Sequence, residues 1–208
     1  FVGSLDTHLT YSYDGRHFQR GFRQPLIGLE AAGEVCGGAL ETSCLVETDT
    51  ELRFYSDATA GQHGGRAKAG ESNRPATGIV IHTLRKDGLT YLQSQGGWGS
   101  FVSKPLTLFK PQLTVNLLAP QGDAVFQLSD MKGVPLPGFS FDDCEAAKKV
   151  DDLNFALRWK GKSLNEIVRQ PIRLEAKLRN AQLYAVRGNF HFLDAEDLRR
   201  LEAGKPID

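Results

Sequence analysis

The sequence predicts an all-β fold: an antiparallel, jelly-roll-like β-sandwich preceded by a smaller β-sheet. Three observations carry this reading. Residues 172–178 alternate without a break, with Ile172, Leu174, Ala176 and Leu178 on one side and Arg173, Glu175 and Lys177 on the other. A period of two is the signature of a strand with one face on a core and one in water. Turn chemistry recurs at short intervals, supplied by 22 glycines and 9 prolines in 208 residues. Helix signals are confined to two short stretches.

The elements follow in order. Leu9–Tyr13 reads as a strand running into the Asp14-Gly15 turn, and 40–47 and 51–56 read as strands around Thr48-Asp49-Thr50. The stretch 58–77 is rich in Gly, Ala, Ser and basic residues and is too long for a hairpin turn, so it reads as a functional loop or a disordered one. A strand resumes at 78–84 and turns at Asp87-Gly88. Four antiparallel strands in this span match one propeller blade, and no second copy of that unit is present. Further strands are expected at 113–117, 124–128, 155–159, 172–178 and 181–186, separated by Pro120-Gln121-Gly122-Asp123, Lys132-Gly133, Lys160-Gly161 and Arg179-Asn180. Ser163–Val168 can form one helical turn. Asp194 is the N-cap of a short helix that Gly204 and Pro206 stop. The resulting division is 1–85 for the blade-like segment, 86–190 for the sandwich and 191–208 for a helical tail.

Composition narrows the function. Lys and Arg total 25 and Asp and Glu total 25, so no net field steers polyanions toward the chain, which argues against a nucleic-acid partner. No apolar run approaches membrane-spanning length, so no membrane partner is expected. The only methionine is Met131, and Phe1 opens a polar segment, so a processed form or a fragment is expected. Cys36, Cys44 and Cys144 allow at most one disulfide, with Cys36–Cys44 and free buried thiols both open.

The nucleophile-elbow, Walker, dinucleotide-binding, zincin and Cys-x-x-Cys motifs are all missing. No catalytic residue, metal ligand or cofactor is therefore assigned. Asp142-Asp143 and Asp151-Asp152 are adjacent pairs whose side chains diverge in extended chain, which suits turns better than the paired carboxylates of glycosidic cleavage. Candidate ligand-binding residues are Tyr55 and Asp57, beside the long loop, together with His63 in Gly61-Gln-His-Gly-Gly65 and Arg66 in the basic part of that loop. Trp98, framed in Gln95-Gly-Gly-Trp-Gly99, can offer a flat face to a sugar ring. Trp159, in the Phe155–Trp159 run, reads as core.

A family resemblance sits on these residues. Leu9-Thr-Tyr-Ser-Tyr-Asp-Gly-Arg-His-Phe-Gln-Arg20 resembles the strand–Asp-Gly–aromatic–Arg repeat of β-propeller glycoside hydrolases, and Thr83–Leu89 through Lys104-Pro-Leu106 resembles the junction leaving a last blade. Leu113–Leu117, Gly133–Ser140, Asp143-Cys144, Leu157–Gly161, Pro171–Leu174 and Ala181–Tyr184 are similar to the sandwich that follows it. That order, over residues 9 to 186, is typical of family-32-like proteins, the invertase and levanase relatives. The resemblance implies a secreted or periplasmic, carbohydrate-binding setting and an upstream propeller part or a homo-oligomeric contact. It also implies that the catalytic acids lie in earlier blades, with His63 the one residue that can face a propeller axis. The expectation is a non-catalytic C-terminal portion of a carbohydrate-active protein. A free-standing lectin-like module, a protein-interaction domain and a small enzyme with a convergent site are the alternatives.

Overall fold

Thr48 closes the first hairpin. Its Oγ1 accepts from the Glu51 amide at 3.0 Å and donates to the Glu51 carbonyl at 3.0 Å, which fixes the turn between strands β1 (Ala39–Glu47) and β2 (Glu51–Thr59). The computed structural model describes residues 2–65 and 76–205. Contacts divide the chain into two units between Lys86 and Asp87. Each side of that junction is tied to its own unit. Lys86 donates its amide to Thr50 O at 2.9 Å, whereas Asp87 accepts from the fully buried Asn116 amide at 2.9 Å and pairs with Arg187.

In the first unit β3 (Thr77–Arg85) pairs antiparallel with β2, giving the order β1-β2-β3. One sheet face carries Leu40, Leu52, Phe54 and Ala58, all buried. Around Leu40, Ala58 and Cys36 pack Ile27, Leu29, Val35 and Val80, so the chain before β1 helps to cover this face. The strand expected at Leu9–Tyr13 is reduced to a single bridge, Tyr11 to Gln19. The Asp14 carboxylate does form its turn, accepting from the Arg16 and His17 amides at 2.8 Å each. Tyr11 and Tyr13 stay exposed, so no buried face rewards extension into a longer ladder.

The second unit holds β4 (Leu92–Ser94), β5 (Gly99–Val102), β6 (Leu106–Ser129), β7 (Ala147–Ala156), β8 (Pro171–Arg179) and β9 (Ala181–Phe192). They form one mostly antiparallel, nearly closed, barrel-like sheet in the order β4-β9-β6-β8-β5, with β7 also on β6. The segment expected to turn at 120–123 is instead a bulge inside β6. The chain advances four positions, from Ala119 to Asp123, against two, from Val150 to Lys148, on β7, and a second irregularity falls between Leu108 and Leu113 opposite β9. The core inside the sheet includes Leu113, Val115, Leu117, Phe126, Leu128, Ile172, Leu174 and Leu183. Trp159 is buried as expected; its indole N–H donates to Phe126 O at 3.1 Å and its ring meets Phe139 edge-on. The strand expected at 155–159 lies earlier in the chain: β7 ends at Ala156, and Trp159 makes only isolated bridges to Cys144 and Lys162.

The helix signals hold. Leu164–Ile167 forms one 3-10 turn capped by Ser163, and α1 (Ala195–Glu202) starts where the Asp194 carboxylate accepts from Glu196 N and Asp197 N. Among the described residues no helix is long and apolar enough to cross a membrane. All three cysteines are free thiols, Cys36 and Cys144 buried and Cys44 exposed.

The alternation at 172–178 is realised as read, with Ile172, Leu174, Ala176 and Leu178 inside. Leu174 is 2% exposed, so Leu174→Ala should cost roughly 2–5 kcal/mol in urea unfolding, the usual penalty for truncating a core leucine. A loss below about 1 kcal/mol would contradict this packing.

Candidate functional site

Strand pairing puts the first site residues side by side. Pairing partners share a sheet face, and the solvent side of the first sheet carries two parallel rows across its strands. One row is Cys44–Tyr55–Ile81 and the next is Glu41–Asp57–Ile79. The first is apolar and aromatic; the second sets two carboxylates beside an aliphatic side chain. Ile79 is 75% and Ile81 55% exposed, an unusual apolar outlay on a three-stranded sheet.

A one-residue irregularity creates the carboxylate pair. Counting back from the Thr48 turn in regular register would put Thr42 opposite Asp57. The shift between Thr42 and Cys44 pairs Thr42 with Ser56 and Glu41 with Asp57. The bulge therefore moves an acid into the row, a feature that residue spacing alone did not reveal.

Asp57 and His63 are brought together. Both line an open cleft of about 350 Å³ with Glu41, Leu5, Ala39 and Ile79. His63 is held by its backbone, bonded in both directions to Gly3: His63 N donates to Gly3 O at 2.9 Å and Gly3 N donates to His63 O at 3.2 Å. Tyr55 lies two residues along β2, on the same face as Asp57. Arg66 lies outside the described residues. Trp98 belongs to the second unit, in the loop between β4 and β5, half-exposed, with the Arg179 guanidinium 4.9 Å from its ring centroid and Arg179 paired to Asp123. One face of the indole is thus already used.

Neither Glu41 nor Asp57 forms an ion pair with a described residue. Two carboxylates directly opposite on neighbouring strands repel, and they accept hydrogen bonds without donating any. The cleft suits a ligand that brings donors, with Leu5 and Ile79 offering apolar contact. Among the described residues no group of three or more His, Cys, Asp or Glu side chains is disposed to hold a metal ion. Burial pushes the Cys36 and Cys144 thiols up, so of the three cysteines only Cys44, on the apolar row, is presented to reagents.

Comparison with known proteins returns nothing: no family model, no curated protein and no solved structure matches the chain.

Glu41→Gln removes one of the two facing charges while keeping the shape. It should raise the stability of the first unit by about 0.2–1 kcal/mol, the usual size of a cross-strand charge term. Thermal or urea unfolding reads the change, and a clear loss of stability would mean that Glu41 has a stabilising partner.

Proposed function

We propose that the chain is the C-terminal, non-catalytic portion of a carbohydrate-active protein and assists in holding a glycan. The observation that carries the reading is the pair of rows on the first sheet, with Tyr55 and Ile81 beside Glu41 and Asp57. A sugar ring presents an apolar C–H face and a rim of hydroxyl donors, and this surface offers the complement of both. Carboxylates accept from hydroxyls through charge-assisted bonds, which are stronger than neutral ones. The order of sequence segments that resembles family-32-like proteins supports the same class, and with it a secreted or periplasmic setting. The catalytic acids of such a protein would then lie outside this chain.

A second reading is favoured by the exposure of Ile79 and Ile81. Apolar side chains on an open sheet face suit a protein partner, whether an upstream sheet or another copy of the chain.

Affinity electrophoresis through neutral polysaccharides, run beside a reducing-sugar assay on fructans, arabinans and xylans, tests the proposal. The expected result is retardation without turnover, weakened about tenfold by Tyr55→Ala or Asp57→Asn, in line with loss of one stacking or charge-assisted contact. Turnover abolished by a single Asp or Glu substitution would overturn the non-catalytic reading. Absence of retardation on every glycan, with self-association dispersed by Ile79→Lys, would favour the protein-interface reading instead.

A further inference from the structure

We infer that the second unit carries its own binding site for a neutral, hydroxyl-rich ligand, an oligosaccharide, in the cleft between the β4–β5 loop and the bulge of β6. The choice of a sugar over other neutral polar ligands rests on the carbohydrate reading above; the site itself does not.

The cleft measures about 440 Å³, within the range of small-molecule sites. Five residues with amide side chains line it: Gln93, Gln95, Gln121, Asn180 and Gln182. The rest of the lining is Ser94, Leu118, Pro120 and Ala181, so the cleft has no charged side chain. With no charged side chain to compensate an ion, the lining favours a neutral occupant. An amide offers both donors and acceptors, and a hydroxyl does the same, so a row of amides can satisfy successive hydroxyls in either direction. Leu118 and Pro120 supply apolar surface between them.

Strand pairing and turn geometry hold the amides in place. Gln93 stands opposite Gln182 across β4 and β9, and Gln182 stands opposite Leu118 across β9 and β6. Asn180 occupies the β8–β9 turn at φ 47°, a left-handed conformation that asparagine tolerates. Its Oδ1 accepts from Gly96 N at 2.7 Å. That bond pins the β4–β5 loop, identifies the side-chain oxygen, and leaves the Asn180 NH₂ group for a ligand. The Gln182 Oε1 accepts from the Tyr184 hydroxyl at 2.6 Å, again leaving its NH₂ group available. Ser94 Oγ donates to Gly97 O at 2.6 Å, tightening the β4–β5 loop. A site whose walls are fixed beforehand loses less free energy to ordering on binding.

Chemical-shift mapping of the 208-residue chain, titrated with neutral fructo-, arabino- and xylo-oligosaccharides, tests the site. The side-chain NH₂ signals of Gln93, Gln121 and Gln182 should move with one of the sugars. Gln93→Ala and Gln182→Ala should each weaken the affinity read from the remaining cleft signals by about tenfold. Gln121→Ala, on an exposed bulge, supplies a third variant with little risk to folding. Glutamine signals that stay fixed at millimolar sugar while those around Tyr55 and Asp57 move would overturn this site and leave the function proposed above standing. Silence in both regions would overturn both. Movement with an uncharged polar peptide but with no sugar would overturn the ligand class.

Discussion

The second unit depends on β6 reaching three neighbours in succession. Its middle part pairs with β9 and β7, and its last part pairs with β7 and β8, where Asp123 stands opposite Arg179 and Ser129 opposite Arg173. A straight strand of 24 residues would run out of partners long before its end. The bulges before Leu113 and around Gly122 bend it so that one segment of chain borders both sides of the core. At Gly122 the bend brings backbone against backbone. A Cβ there would lie 2.2 Å from Asn180 O and 2.3 Å from Arg179 O, so only glycine fits. The same approach sets Gln121 and Pro120 beside Asn180, and so builds one wall of the amide cleft.

The two candidate surfaces answer to different physics. On the first sheet, a bulge near Ser43 puts Glu41 opposite Asp57, and the apolar row lies open to solvent; both features lower stability, and both suit a ligand or partner that brings donors and apolar surface. The amide cleft carries no charge and is fixed by neutral hydrogen bonds, notably Asn180 to Gly96. An acceptor-rich face and an amide-lined cleft are both complementary to hydroxyl groups.

Much of the fold was legible because half-buried strands write their period into sequence. The 172–178 alternation, the Thr48 hairpin and the Asp194 cap each rest on local chemistry that neighbouring residues supply. What stayed hidden was register. Pro120-Gln121-Gly122-Asp123 has turn composition, and the chain does bend there, but whether it ends a strand depends on β7 and β8, more than twenty residues later. Leu9–Tyr13 looks like a strand in isolation, yet it has no core to face. Tyr55, Asp57 and His63 drew attention through their place beside a glycine-rich loop, and Asp57 and His63 do line one cleft. Glu41 and the five amides were not, because their meeting depends on a one-residue shift and on strands far apart in sequence. Trp98 drew attention through its glycine frame, while its Arg179 partner lies 81 positions away in the chain.

The dependence on the β6 bend is tested most directly by Gly122→Ala, followed by urea unfolding and amide hydrogen exchange. Forced contact with the Arg179–Asn180 backbone should cost about 1–3 kcal/mol, the scale of overpacking a close-fitted site. It should also speed exchange at the 179–181 turn and in both flanking parts of β6. Unchanged stability, with protection in β6 as in the unsubstituted protein, would contradict the account.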